Sequence, residues 1–578
     1  MNFTKSQNLA IKKSGGNILV SASAGSGKTG VLKERVIEKL KSGVNIDELV
    51  ILTFTEAAAS EMKSRILNEI YKENLLNQIE KIDNAIISTF DAFTLKLVKE
   101  YHYLLGLNNN IGIVDPVIIM SRETETINEV LKRYYINNNK NFNQLFHRYF
   151  SKSSDWLEKS VYSIARSFKK NPNYFDIINN YDEIYLEDKL LEEYLNEYFN
   201  YLRTDLSLLK LDLEKEYLNY GVLDNDYQDY LLKLNNLVNE LLNKDNEGFF
   251  KTINVVEMPK KPRNKELLKP EIHIYIEELK KEFSNLFLEE YSDFLANFKE
   301  SVDSVKTILE IVKDYLIEFE KIKIKEELFS FDDIMFLAIR LFEEFPDVRN
   351  KFKSKVKEIL VDEYQDTNDL QDYFISLISD NNLFMVGDVK QSIYRFRDAN
   401  PNNFMRIYND YQKSNTGSAI FLQENFRTNG YVLEEINKIF KKIMTESSGG
   451  INYTNEQVLI TGFDETFPLH EKDSFKLGLY DLEKINQEYP ELNKAEIEAH
   501  LVAQDIRRRI DGYEKIYSLK NSEYEIVDYK DITILASQKV DFFTYAKVIS
   551  SYNIPIQVFK DEPFFSSDEI SFIFQYLL

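Results

Sequence analysis

The sequence predicts an α/β fold, with parallel sheets covered by helices and a large helical insertion, and three observations carry that prediction. The apolar run Ile18-Leu19-Val20 leads into Ser21-Ala22-Ser23-Ala24-Gly25-Ser26-Gly27-Lys28-Thr29, a buried strand, a loop of small residues and a helix start. Short apolar runs then alternate with helical patterns up to about residue 115, as in Val50-Ile51-Leu52-Thr53-Phe54 followed by Glu56 to Tyr71, the rhythm of strand and covering helix. From 116 to 325 the texture changes to Leu, Tyr, Lys, Glu and Asn at helical spacing with few glycines, which reads as the insertion.

The loop from Ser21 to Thr29 describes a phosphate cradle. Gly25 and Gly27 let the backbone turn its N–H groups toward a triphosphate, Lys28 neutralises the β and γ oxygens, and Thr29 offers a hydroxyl to Mg²⁺. Ala22 stands where the strict pattern has its first glycine, which is tolerable if the turn there needs no positive φ. A Gly/Ser turn that happens to carry a lysine is the plainer alternative; the strand and helix on either side argue against it.

Composition narrows the class. A chain of 578 residues is too long for one core, and 43% hydrophobic residues support large ones. No window has the apolar length of a membrane span, and Met1-Asn2-Phe3-Thr4-Lys5 lacks a signal-peptide apolar region. A soluble, cytoplasmic protein is expected. The absence of cysteine excludes disulfides, thiol catalysis and zinc–thiolate sites in this chain. A net charge of -23 disfavours indiscriminate binding to nucleic acid, so any such path must be a local basic or aromatic groove. The stretch Val255 to Pro270, with Pro259, Lys260, Lys261, Pro262, Arg263, Lys265 and Lys269, reads as a solvated connection, with a nucleic-acid contact as its alternative.

The α/β texture returns with Ile359-Leu360-Val361 running into Asp362-Glu363-Tyr364-Gln365-Asp366. Paired acids at the carboxyl end of a buried strand are costly unless they face a site. Asp362 is suited to hold Mg²⁺ and Glu363 to orient and deprotonate a water attacking the γ-phosphate. Gln7, just upstream of the cradle, offers an amide donor and acceptor suited to an adenine edge. The block Leu383 to Arg397 places Gln391, Tyr394, Phe396 and two arginines on one loop after a strand, a mixture able to touch a γ-phosphate and stack bases. Arg427, in Leu422-Gln423-Glu424-Asn425-Phe426-Arg427-Thr428, follows an apparent domain crossing and could stabilise transition-state charge.

With these residues in hand, the chain resembles the superfamily 1A, UvrD/Rep-like DNA helicases, by motif order and spacing from Gln7 through Arg427. Within that group it is most similar to the A subunit of AddAB/RexAB helicase–nucleases, through Leu52-Thr53-Phe54-Thr55-Glu56-Ala57-Ala58-Ala59-Ser60-Glu61-Met62, Lys390, Ala399, Pro401 and Ala495-Glu496-Ile497-Glu498-Ala499. The resemblance implies ATP and Mg²⁺ as cofactors and RecA-like domains. It implies 3′-to-5′ movement on single-stranded DNA, action on double-stranded DNA in break repair, and a second, AddB/RexB-like subunit. Gln7 and Arg35 would then contact the base region of the nucleotide, Lys28 and Thr29 its phosphates and Mg²⁺, and Gln391 and Arg427 the γ-phosphate. Phe54, Tyr394, Phe396 and Arg397 would contact single-stranded DNA; for the three aromatics, core packing is the competing explanation.

The expected architecture is a first RecA-like domain from 1–115 and 326–415, a helical insertion over 116–325, and the start of a second RecA-like domain over 416–578. That second domain is expected to be incomplete, ending within Pro555 to Leu578 at the entry to a second insertion. The rivals are a fragment that binds ATP and DNA without turnover, and an unrelated phosphate-loop enzyme such as a kinase or transporter ATPase. Two departures and one decoy stand out. Asp91 occupies a position where the family commonly has histidine, which puts a DNA-backbone contact in doubt. The expected strand Asp531-Ile532-Thr533-Ile534-Leu535 is followed by Ala536-Ser537-Gln538 where an arginine is usual. Asp528-Tyr529-Lys530 imitates a nuclease motif but lacks the preceding acids that a two-metal site needs. Trp156 and the histidines read as structural.

Overall fold

The computed structural model describes residues 3–137, 139–149, 156–220, 225–261, 269–285, 290–413, 416–445, 451–454, 456–463, 475–518, 521–536 and 541–558. Pro262, Arg263, Lys265, Ser537, Gln538 and most of the Pro555 to Leu578 segment therefore lie outside the described residues. The chain divides into two compact units. The larger comprises Asn8–Val20 and Leu32–Ile420, the smaller Met1–Gln7, Ser21–Val31 and Phe421–Leu578.

A six-stranded sheet is built of β1 (Asn17–Ala22), β2 (Leu49–Thr53), β3 (Ile86–Thr89), β4 (Glu358–Val361), β5 (Leu383–Gly387) and β6 (Gly417–Leu422), in the order β3-β2-β4-β5-β1-β6, and all of it but the last two residues of β1 and of β6 falls in the larger unit. β2 pairs in parallel with β3 and with β4, and β4 with β5, in the register Val50↔Ile359 and Leu360↔Phe384. β2, β4 and β5 are buried along their whole length, which is why they read as continuous apolar runs rather than alternating ones. Helices Glu56–Lys72 and Phe90–Glu100 pack on the sheet, and Phe331–Glu344 packs on Phe90–Glu100 and on Asp369–Ile378. Each starts on a capping side chain, Thr55, Thr89, Ser330 or Asn368, that accepts a first-turn N–H.

The segment between β3 and β4 is helical, as its spacing predicts, and it holds two cores. One gathers Ile127, Val130, Phe142, Val161, Tyr315 and Phe319; the other gathers Phe199, Leu206, Leu234, Phe249, Phe250 and Ile276. The 36-residue helix Tyr291–Glu326, roughly 54 Å long at 1.5 Å per residue, joins them: Tyr291 and Phe294 pack on the second core and Ile311 to Phe319 belong to the first. Trp156 packs on the first core, and His273, bonded to the Tyr230 hydroxyl at 2.9 Å, is buried in the second. Lys269, at the described end of the Pro/Lys stretch, pairs with Glu277 at 2.9 Å.

Beyond Leu422 the described strands form only two short pairs, Glu424–Asn425 with Ile460–Thr461 and Lys515–Ser518 with Glu523–Ile526. The strand expected at Asp531 to Leu535 does not form: Tyr529–Asp531 is a 3₁₀ turn capped by Asp528, and irregular chain follows. Ile532 and Ile534 still pack on a small core of Ala503, Ile506 and Ile549, whereas Leu535 is exposed. The alternation is thus satisfied by packing on helices Lys494–Asp511 and Phe542–Ser551 without a ladder.

Candidate functional site

Within the smaller unit the loop from Ser21 to Thr29 has the shape of an anion cradle. Gly25 (φ +71°) and Gly27 (φ +82°) adopt the left-handed conformation that glycine tolerates, and a Cβ on Gly25 would meet the Asn425 amide at 2.7 Å. Ala22 lies in β1, so the missing first glycine is not needed there. Lys28 opens the helix Lys28–Lys41, so the first-turn N–H groups and the positive helix end lie at Lys28 and Thr29. The Ser26 hydroxyl is buried without a hydrogen-bond partner among the described residues, as expected of a donor turned toward a phosphate. These features fit ATP with Mg²⁺.

Gln7 is buried and clamps this loop: its Nε2 donates to the Ser26 carbonyl at 2.9 Å, and its Oε1 accepts from Thr4 N at 2.8 Å. These bonds use one of its two amide N–H groups and one lone pair of its oxygen. A second clamp, Asn425, has no signature that sequence reasoning used. Its Nδ2 donates to the Ala24 carbonyl at 2.7 Å, while its Oδ1 accepts from Arg427 N and Thr428 N at 2.8 and 2.7 Å. With Phe426 N donating to the Gly25 carbonyl and Ser23 N to the Leu422 carbonyl, both at 2.9 Å, the cradle is laced to the segment that presents Arg427. The Arg427 side chain is exposed.

Arg35 corrects the expectation of a base contact. Its guanidinium is 1% exposed, grips Glu358 through two bonds of 3.0 and 2.6 Å, and donates to the carbonyls of Ala10, Ile11 and Lys13. It also lies 4.1 Å from the centre of the Phe384 ring. With Nε, Nη1 and one Nη2 N–H bonded inside the core, the buried Arg35 anchors the end of helix Lys5–Lys12 instead of reading a nucleotide.

In the larger unit the carboxyl ends of β2, β4 and β5 carry the remaining candidates. Asp362 continues β4, its N–H donating to the Leu52 carbonyl at 2.9 Å. Glu363 adopts φ 50°, ψ 45°, a strained conformation for a glutamate, costing of order 1–3 kcal/mol. It is held there by Glu363 N donating to Asp362 Oδ1 at 3.1 Å and by Gln365 Nε2 donating to Glu363 Oε2 at 2.9 Å. After β5, Asp388 is buried; it accepts from Gln391 Nε2 at 2.7 Å and pairs with Lys390 at 2.8 Å. Gln391 is thereby held in a 3₁₀ turn, Val389–Gln391.

Past β2 and β5 the aromatic residues converge. Phe54 and Tyr394 lie 4.8 Å apart, Tyr394 and Phe396 5.8 Å apart, and the Arg397 guanidinium sits 5.5 and 5.9 Å from the latter two rings. Phe396 is 77% exposed, so it is not core; Phe54 and Tyr394 are half-buried. A cavity of about 300 Å³ adjoins Phe54 and Arg397 and is also lined by Asp91, Asp332 and Gln371. Burial, reinforced by Asp332, pushes the Asp91 carboxyl above its ordinary range; burial and Asp333 do the same to Asp332. The acid at 91 thus lines the same cavity as Phe54, Asp332 and Arg397.

Residues 3–412 match the family described as UvrD/REP helicase N-terminal domain, about seven-tenths of the chain. The chain belongs to the UvrD/REP helicase family. Among curated proteins it is similar to the A subunit of an ATP-dependent helicase/nuclease from Ligilactobacillus salivarius, at 32% identity with 100% of this chain and 50% of that protein aligned. The proteins of the same name from Pediococcus pentosaceus (30%, 98% of this chain, 50% of that protein) and Enterococcus faecalis (32%, 98% and 49%) are similar to the same degree. The chain spans about half the length of the curated relatives it matches. In this UvrD/REP member, no helix among the described residues is long and apolar enough to cross a membrane.

Proposed function

We propose that this chain is the ATP-driven motor portion of a DNA helicase that moves 3′ to 5′ on single-stranded DNA during break repair, together with a second helicase–nuclease subunit. The observation that carries the reading is the phosphate cradle of Ser21 to Thr29, with a buried Ser26 hydroxyl that has no hydrogen-bond partner among the described residues, in a chain where Asp362 and Glu363 directly follow β4.

Lys28 and the cradle N–H groups would hold the triphosphate, Thr29 would offer its hydroxyl to Mg²⁺, Asp362 is the acid suited to that ion, and Gln7 would meet the adenine edge with its remaining amide group. Bound ATP supplies the γ-phosphoryl group, and Mg²⁺ offsets the charge that develops on it. Glu363 orients a water and accepts its proton, while Gln391 and Arg427 donate toward the γ-phosphate oxygens. Phe54, Tyr394 and Phe396 stack bases with little regard to their identity, and Arg397 attracts the backbone, as suits a motor that must pass every base. ATP-linked changes in grip then advance the strand.

Strand displacement from tailed duplexes tests this. The full-length protein with its partner should release the strand of a 3′-tailed duplex only when ATP and Mg²⁺ are present and should leave a 5′-tailed duplex intact; preference for the 5′ tail, or release without ATP, overturns the proposal.

A further inference from the structure

One buried amide joins the Glu363 carboxylate to the start of the loop that bears Gln391 and the aromatic residues. Gln365 is 1% exposed. Its Nε2 donates to Glu363 Oε2 at 2.9 Å and to Asp366 Oδ2 at 3.2 Å, and its Oε1 accepts from the backbone N–H of Asp388 at 2.9 Å. The orientation of the amide follows from these partners, since two carboxylates face the nitrogen and an N–H faces the oxygen. The approach is close: a Cβ on Gly387 would collide with the Gln365 amide oxygen. Asp388 in turn fixes the start of the loop. Its carboxylate accepts from Lys390 N at 3.2 Å and from Gln391 Nε2 at 2.7 Å, and pairs with Lys390 Nζ at 2.8 Å. Ser392 Oγ closes the turn by donating to the Gln365 carbonyl at 3.4 Å, and Tyr394, Phe396 and Arg397 follow within five residues.

We propose that Gln365 is the positioning residue that couples nucleotide state to DNA grip, by holding the Glu363 carboxylate and the base of the Gly387–Arg397 loop on one side chain. The inference rests on the proposed roles of Glu363 and of the aromatic loop. A displacement of the carboxylate is passed through the amide to Asp388 N, and from there to the turn bearing Gln391 and the aromatic residues. A glutamine is suited to this as no neighbour in size is: methionine has neither hydrogen-bonding end, glutamate turns an acceptor on two carboxylates, and asparagine is one methylene too short.

The test is a binding cycle that needs no turnover. Affinity for a labelled oligothymidine is measured by anisotropy with and without Mg²⁺ and a non-hydrolysable ATP analogue, and affinity for the analogue with and without oligothymidine. Linkage requires the two ratios to agree. Wild type should show a ratio in the ordinary coupling range of about 5–150-fold. Gln365→Met should keep each separate affinity within about threefold while bringing the ratio to within about twofold of unity. Gln365→Asn, which keeps the amide but not its reach, is the second variant and should behave alike should Gln365→Met fail to melt cooperatively. Variants that retain the wild-type ratio overturn the proposal. A wild type that binds both ligands without coupling overturns it and leaves the functional reading standing; a wild type that binds neither overturns both.

Discussion

Phe396 is the residue whose chemistry is easiest to isolate, because it projects into solvent and its loss removes no core packing. Phe396→Ala should weaken single-stranded DNA binding by about 1–3 kcal/mol, the worth of one stacked base, with an unchanged melting temperature; anisotropy titrations and thermal melts check both. Phe54→Ala, at a half-buried ring, should lower DNA affinity and stability together. The aromatic positions were legible in the sequence because they follow strands on motif-bearing loops. Gln7, Arg35 and Asn425 were only partly legible or not at all. Arg35 looked like a nucleotide contact until its partner Glu358 came from 323 residues away, and Asn425 reaches Ala24 across 401 residues; local spacing carries no trace of either. A second residue-level effect concerns pH. Burial pushes the Asp333 carboxyl up, but Lys323 at 2.6 Å and Lys169 outweigh it and hold it below its ordinary value. A depressed folded pKa means that stabilisation is fully present above the unfolded value of about 3.9 and is lost as pH falls through the folded one. Lys323→Met should therefore cost about 3–5 kcal/mol near neutral pH by stranding a buried carboxylate, and the deficit should shrink below about pH 4, as denaturant melts at both pH values would show.

At the scale of elements, the phosphate loop is a device held from outside itself. Gln7 and Asn425 grip the Ser26 and Ala24 carbonyls, so its conformation is set before any ligand arrives, which lowers the ordering cost of binding. Asn425→Ala leaves the N–H groups of Arg427 and Thr428 without their acceptor. It should cost about 1–3 kcal/mol of stability and weaken binding of a fluorescent ATP analogue; unchanged affinity would show that the clamp is dispensable. The strands of the sheet were readable because burial on both faces demands continuous apolar runs, and the insertion because its spacing is helical over two hundred residues. The Asp531 to Leu535 segment misled for a physical reason: alternating isoleucines specify which side faces a core, and a helical neighbour satisfies that as well as a strand does.

For the whole molecule, a net charge of -23 disfavours indiscriminate binding to nucleic acid, so the proposed DNA contact rests on a local group, the three aromatic rings and Arg397. Single-stranded DNA should accordingly bind with little sequence preference and with affinity that falls steeply with salt. Everything proposed for the motor, from Glu363 through Gln365 to Phe396, depends on a triphosphate seated on the loop of Ser21 to Thr29. The most direct measurement is a titration of a fluorescent ATP analogue, with and without Mg²⁺, into wild type, Lys28→Ala and Glu363→Gln. Mg²⁺-dependent binding that Lys28→Ala abolishes and Glu363→Gln preserves is the predicted result; equal affinity in wild type and Lys28→Ala would contradict the account.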